Sequence, residues 1–387
     1  MMIVGRRWTS LHSRLRFSAL RCVSEKRETR KAWTARCTCA SHVSQRWHRT
    51  FVKSLHLPIL DGSHLNKLSF SAPAKSILLG EHFVVHGCRA LAIPLAAVGT
   101  TIELTDPSAP KAHVQLDLDK TSELSEDDKQ TAYELTTAAA AGVAESTGRT
   151  PRGSLRIRST IPIGCGLGSS AAFAVAVVGA LHRAVGCEPS ADQLRAQAHV
   201  LERRVHGAPS GIDDSVIASG RPLVFWRDAA GRGTMDPVEP GAPFSLLFAS
   251  VGRPLPTCDA VARVAALRDR EPRRFEGLLA QARETVERGI SAFTDGDVAA
   301  LGPELDRCHR LLQQVGVSTE ELDRLVDVAR CAGARGAKLT GAGLGGFMLA
   351  LVDDTPEQSA AVSEALQEAG ARDTFSCQLA PQPKERR

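Results

Sequence analysis

No run in this sequence of 387 residues is long and apolar enough to cross a bilayer. The longest apolar stretch, Ala171 to Leu181, falls well short of the roughly 20 residues that a helical span needs, so it reads as a buried helix. The ten cysteines contain no pair of Cys-x-x-Cys motifs, and only Cys37 and Cys39 stand close together, which argues against a zinc site. Cys88, Cys165, Cys187 and Cys331 lie in apolar or glycine-rich surroundings, where a small buried thiol is expected. A disulfide framework belongs to much smaller chains, and reduced thiols suit a cytoplasmic enzyme. No internal repeat is present. The apolar and charged fractions, 43% and 24%, are those of a soluble globular protein with length enough for two domains.

Acids are nearly missing from the first 57 positions, which carry ten arginines and three lysines against Glu25 and Glu28 alone. That segment has a formal charge of +11, which leaves the remainder at −6 within a total of +5. It has Ser, Thr and Trp but no steady apolar period. Three readings stay open for a basic tail over residues 1–66, whether disordered or targeting. It suits a transit peptide, being Arg-rich, hydroxyl-rich and poor in acids. It also suits a nucleic-acid arm, or upstream sequence translated from an early start codon. The expected compartment is the cytoplasm, or an organelle if the tail is a transit peptide. No folded catalytic role is expected of the tail, and neither a nucleic-acid nor a membrane partner is expected of the protein.

The richest segment is Pro162-Ile-Gly-Cys-Gly-Leu-Gly-Ser-Ser-Ala-Ala172. Three glycines at alternate positions let successive N–H groups converge on one anion. The helix expected from Ser169 adds its unpaired N–H groups and the positive end of its dipole. The hydroxyls of Ser169 and Ser170 suit a phosphate oxygen or a magnesium ion. No lysine precedes Ser169, so this is not the common P-loop, and the spacing is not that of a dinucleotide fingerprint. Alone, the segment also has a weaker reading, as a structural turn before a core helix.

Three further segments accompany it. Ser71 to Gly87 places Lys75, Glu81 and His82 around a short apolar strand, and Glu202 to Asp214 supplies acids on both sides of a Pro/Gly turn. Lys338 to Phe347 has four glycines in six positions before the strand-like run Phe347 to Val352. Strands are also expected at Leu68 and Phe70, Ser76 to Leu79, Ala90 to Leu95, Gly99 to Leu104, Ser154 to Ser159, Ser245 to Val251 and Thr374 to Leu379. Residues 106–129 read as a polar loop or hairpin, and a helix is expected from Gln130 to Gly148. A capping box at Ser190 to Gln193 opens a helix whose Leu194, Ala198, Leu201 and Val205 face the core. Glu202 lies about one hundred degrees from Leu201, at the edge of that face, where a surface glutamate is the ordinary reading. Three or four helices fill residues 258–333, and Thr355-Pro-Glu-Gln358 opens another.

In this order the four segments resemble the GHMP kinase superfamily, most closely its mevalonate kinase family, over residues 68–380. The discriminating pieces are Ala72-Pro-Ala-Lys75 with Gly80-Glu-His-Phe-Val-Val-His-Gly87, the turn His206-Gly-Ala-Pro-Ser-Gly-Ile-Asp213, and Lys338-Leu-Thr-Gly-Ala-Gly343. Ala74 stands where glycine is usual, Cys165 where alanine is, Asp214 where asparagine is common, and Leu344 interrupts a longer glycine run. The resemblance implies an α+β, two-domain GHMP kinase fold. Its halves are an N-terminal α/β domain of the ribosomal protein S5 domain 2-like type over 67–240 and a ferredoxin-like domain over 241–387, with the boundary near Asp236 to Pro243. It implies ATP-dependent phosphorylation of the 5-hydroxyl of mevalonate, an early step toward isoprenoids, by a family whose members often form homodimers. A kinase of phosphomevalonate or a sugar, or a non-catalytic paralogue, is the alternative. By the same resemblance Pro162, Gly164, Gly166, Leu167, Gly168, Ser169, Ser170 and Ala171 hold ATP, and Ser170 with Glu202 ligates Mg²⁺. Asp213 and Lys75 act on the acceptor hydroxyl, while Glu81, His82 and Thr340 bind the acceptor.

Overall fold

The computed structural model describes residues 69–106, 112–115, 125–162, 164–207, 209–227, 233–252 and 254–381. The basic tail lies outside these. Most of the polar stretch 106–129 does too, although 112–115 forms a strand rather than a loop.

Six strands build the first sheet: β1 (Ser69–Leu79), β2 (Ala90–Asp106), β3 (Ala112–Gln115), β4 (Gly153–Ser159), β5 (Leu223–Arg227) and β6 (Gly233–Pro237). Between β1 and β2 the chain makes a short 3-10 turn at Phe83–His86. β2 is the spine. β1 runs antiparallel along it, while its two ends pair on the opposite edge with β4 and β5. The sequence splits β2 into two strands at Pro94 and Gly99, but the register runs on through irregularities opposite Pro73/Ala74. In β4 the buried Leu155 and Ile157 alternate with outward arginines, the pattern of a half-buried strand.

Four helices cover this sheet: α1 (Glu126–Thr147), α2 (Ser169–Ala184), α3 (Ala191–His206) and α4 (Ile212–Ser219). α1 starts four residues earlier than its apolar pattern suggests, because Ser125 and Asp128 form a capping box ahead of three acidic residues. α2 is buried on nearly every side, which explains its unbroken apolar run. On α3 the capping box, Leu194, Ala198 and Leu201 fall as the pattern predicts. Val205 does not: it is exposed in the last turn, past the edge of the core, while Glu202 is buried.

After Pro237 the chain passes to a second sheet of β7 (Phe244–Gly252), β8 (Gly336–Thr340), β9 (Gly346–Val352) and β10 (Thr374–Leu379). Between β7 and β8 lie α5 (Thr257–Arg270), α6 (Pro272–Asp295), α7 (Val298–Gln314) and α8 (Glu320–Cys331), and α9 (Pro356–Glu368) joins β9 to β10. The strand order β10-β7-β9-β8, antiparallel throughout, is the ferredoxin-like arrangement. One contiguous apolar core, from Ala72 to Leu379, runs beneath both sheets. None of the seven described cysteines is in a disulfide. Cys88 is buried, Cys165 and Cys187 are half-buried, and Cys331 is exposed at the end of α8, where only one face of the helix meets the core. No helix among the described residues is long and apolar enough to cross a membrane.

Candidate active site

Four segments distant in sequence meet where β1, the glycine loop before α2, the start of α4 and the loop between β8 and β9 come together. β1 brings Lys75. Its backbone N–H donates to Leu167 O at 3.0 Å, which stitches the strand to the glycine loop. Its ammonium, almost wholly buried, lies 2.9 Å from Asp213 Oδ1, whose side chain is 37% exposed. The cation is therefore fixed from within the protein while the carboxylate stays open to an incoming molecule.

The glycine loop is left-handed at Gly164, Gly166 and Gly168, with φ of 71°, 79° and 75°. Such alternation turns backbone N–H groups toward one side, as an anion cradle requires. Gly166 also faces Gly341 of the second loop so closely that a Cβ on it would lie 3.3 Å from the Gly341 Cα. The side chains of Leu167 and Ala171 are buried in the core, so these two residues offer a ligand only their backbone. Pro162, Ser169 and Ser170 are half-buried at the loop's entry and at the first turn of α2.

The Ser170 hydroxyl donates to Glu202 Oε1 at 2.5 Å, and His206 Nε2 lies 3.7 Å from Glu202 Oε2. Burial pushes the Glu202 carboxyl up. The Ser170 hydrogen bond and His206 pull it down, and Asp213 and Asp214 push it up again. The surface glutamate that its position on the helix suggests is thus a buried acid beside a hydroxyl.

The adjacent acids divide their partners. Asp213 takes Lys75, whereas Asp214 is buried and its Oδ2 lies 2.8 Å from His199 Nδ1. Both stand in the first turn of α4, a helix bounded by left-handed Gly211 and Gly220.

On the other side of the site, His82 Nε2 donates to Ala342 O at 2.9 Å. A carbonyl only accepts, so the ring proton sits on Nε2. Burial, chiefly, holds this imidazole below its usual range, opposed by the bond to Ala342. His82 and Leu344 are the two non-glycine residues of positive φ among those described, at 59° and 57°. Leu344 lies within the second glycine loop and His82 is bonded to it, and such strained backbone gathers at functional sites. Leu344 is held by its N–H to Val317 O at 2.8 Å and by burial of its side chain, which accounts for a leucine within a glycine run.

Glu81 and Thr340 lie deeper than acceptor-binding residues would. Glu81 is fully buried in an ion pair with Lys338, itself wholly buried, whose ammonium also donates to Ile77 O at 3.3 Å. Burial pushes the Glu81 carboxyl up, and Lys338 offsets that. Thr340 Oγ1 is 2.8 Å from Ser76 Oγ and donates to Ile77 O at 3.3 Å. Both side chains are spent on contacts inside the protein. Lys338 and His199 escape a reading of the sequence, although a lysine entering an otherwise apolar strand signals a buried partner.

The site therefore combines a backbone anion cradle, a hydroxyl and carboxylate pair, and an exposed carboxylate locked to a buried ammonium. Comparison with known proteins agrees with that chemistry. Residues 134–220 match the family model for the GHMP kinases N terminal domain, and residues 290–372 match that for the GHMP kinases C terminal. The mevalonate kinase of Thermococcus gammatolerans is 35% identical over 326 residues, covering 78% of this chain and 92% of that protein. The mevalonate kinase of Thermococcus onnurineus is 36% identical over 326 residues with the same coverage. The crystal structure of L. major mevalonate kinase in complex with R-mevalonate superposes with a TM-score of 0.70 and 26% identity, over 81% of this chain and 96% of that one. The chain belongs to the mevalonate kinase family of the GHMP kinases.

Proposed function

We infer that this chain transfers the terminal phosphoryl group of ATP to the 5-hydroxyl of mevalonate. The observation that carries the reading is the Lys75–Asp213 pair at the mouth of the glycine cradle. In the transfer the hydroxyl oxygen forms a bond to the γ-phosphorus as the bond to the β-phosphate oxygen breaks, and ADP leaves. Asp213 accepts the hydroxyl proton. Lys75 holds that carboxylate in place and stabilises negative charge as it gathers on the transferred group. The backbone of Gly164, Gly166 and Gly168, with the first turn of α2, holds the phosphates.

Ser170 and Glu202 would hold Mg²⁺. A hydroxyl and a carboxylate are hard oxygen donors suited to an ion that keeps most of its waters, and a carboxylate disfavoured by burial gains from a cation. When bound, the ion would neutralise phosphate charge. Contact with the acceptor falls to His82, while Glu81 and Thr340 shape the site from behind, through Lys338 and Ser76. In this reading residues 67–240 form the nucleotide-binding half and 241–387 close the cleft. Cysteines outside any disulfide fit the cytoplasm, with an organelle as the alternative if the tail directs import, and the family resemblance is compatible with a homodimer.

The test is ADP release by the purified chain with Mg-ATP and mevalonate, phosphomevalonate, homoserine or galactose in parallel. Release with mevalonate alone is the expected result. Activity on another acceptor instead would keep a kinase and reject this substrate, and silence on all four would reject catalysis.

A further inference from the structure

We propose that His199 is a positioning residue, which through Asp214 fixes Asp213 and Glu202 relative to one another. This rests on the roles given above to Asp213 and Glu202. His199 stands on α3 one turn before Glu202, and Asp214 follows Asp213 directly on α4. Their contact of 2.8 Å ties the two helices together at the level of both carboxylates. Among the described residues no other side-chain hydrogen bond joins α3 to α4, and the other charged groups that face each other there, Glu202 against Asp213 and Asp214, are like-charged. A carboxylate–imidazole bond is directional and fixes both position and rotation.

The arrangement has a physical motive. Asp214 is buried beside Asp213 and close to Glu202, so three carboxylates crowd a small volume. Burial pushes the Asp214 carboxyl up, and His199 pulls it down. An imidazole N–H at Nδ1 gives the buried Asp214 carboxyl a hydrogen-bond partner and offsets part of the cost of burying it. Without that donor the buried carboxylate must take up a proton or turn toward solvent. Turning would carry the first turn of α4 with it and draw Asp213 away from Lys75. The same pair accounts for aspartate at a position where the resemblance leads one to expect asparagine. The chain adds a charge there and supplies a histidine from the facing helix to hold it.

The test compares His199→Ala, His199→Asn, the double variant His199→Ala/Asp214→Asn, and Asp213→Asn. His199→Ala should lower kcat by roughly 10- to 100-fold, the scale of an ångström-sized misplacement, while KM for ATP stays within about twofold. His199→Asn, whose amide nitrogen falls where Nδ1 was, should restore most of kcat. The double variant, relieved of the unpaired charge, should exceed His199→Ala in kcat and in thermal midpoint. A wild-type kcat in His199→Ala, or a double variant no better than that single one, would overturn the proposal. So would a lowered midpoint with kcat intact, since that is packing alone. If His199→Ala does not fold, the Asn variant decides, and kcat lost in a folded His199→Asn counts against the proposal. Asp213→Asn separates the two levels of inference. If it stays active, the site reading itself fails; if it is inactive while His199→Ala is normal, only the positioning role fails.

Discussion

Gly168 meets two demands at once. Its φ of 75° is one that side chains rarely adopt, and a Cβ there would fall 2.9 Å from Lys75 Cγ and 3.1 Å from its Cε. The lysine stem lies across the glycine and is aimed by it. Gly168→Ala is expected to add about 1–2 kcal/mol of backbone strain. It should also push the ammonium from Asp213, lowering kcat by at least about tenfold, as small misplacements of reacting groups do. Steady-state kinetics beside a thermal melt will check this, and an alanine variant with normal kcat would show that Lys75 is aimed otherwise. At this scale the residue types at the site were legible, since glycines, hydroxyls and acids announce phosphate chemistry. Their partners were not. Asp213 and Asp214 are adjacent in sequence, and only the elements facing them, β1 and α3, send one to Lys75 and the other to His199.

Among the elements, β8 is the edge strand of its sheet, and α7 closes that edge. Ala337 N–H donates to Asp306 Oδ1 at 2.9 Å and Leu339 N–H to His309 Nδ1 at 3.3 Å, so the open side of the strand is taken by helix side chains. Lys338, between those two residues, reaches the Glu81 that follows β1 and ties one sheet to the other. Lys338→Met leaves Glu81 buried without its cation, and the expected loss is about 3–5 kcal/mol. Glu81→Gln added to it should recover part of that. Urea unfolding of the single and double variants measures both, and equal stability of the two would show that the loss does not come from the unpaired Glu81 carboxyl. Long periodic elements were legible in advance: α2, α3, β4, β7, β9 and β10 fall where their patterns place them. α4 was not, because eight residues between two glycines carry too little periodicity. Capping chemistry, rather than apolar spacing, set the start of α1.

For the whole molecule, pH dependence is carried by the buried ionisable groups. His309 is buried, with Nδ1 accepting from β8 and Nε2 3.1 Å from Asp323 Oδ1. Burial pulls its imidazole from the ordinary 6.5 down to about 4, opposed by Asp323 and helped by Arg330 and Lys338. Between those two values the unfolded chain binds the proton and the folded chain does not. Stability therefore rises with pH across the window and is lost as pH falls through it. Glu81, Glu202 and Asp214, raised by burial, act in the opposite sense, so a comparison with His309→Gln isolates the imidazole. From about pH 7 down to about pH 4.5, the thermal midpoint of the wild type should fall further than that of His309→Gln. Equal falls would mean that His309 is protonated within the fold.

By itself the sequence determined the chemistry and the class of fold. Glycine spacing, the hydroxyl pair before an apolar helix and the order of four segments are local properties, written in neighbouring residues. Tertiary structure alone decided which charges meet. Glu202 turned from a surface acid into a buried one, Glu81 and Thr340 withdrew into internal contacts, and Lys338 and His199 gained roles. The reason is physical: an ion pair or hydrogen bond depends on separation in space, and closing chain segments 15 to 264 residues apart is the work of the shared core.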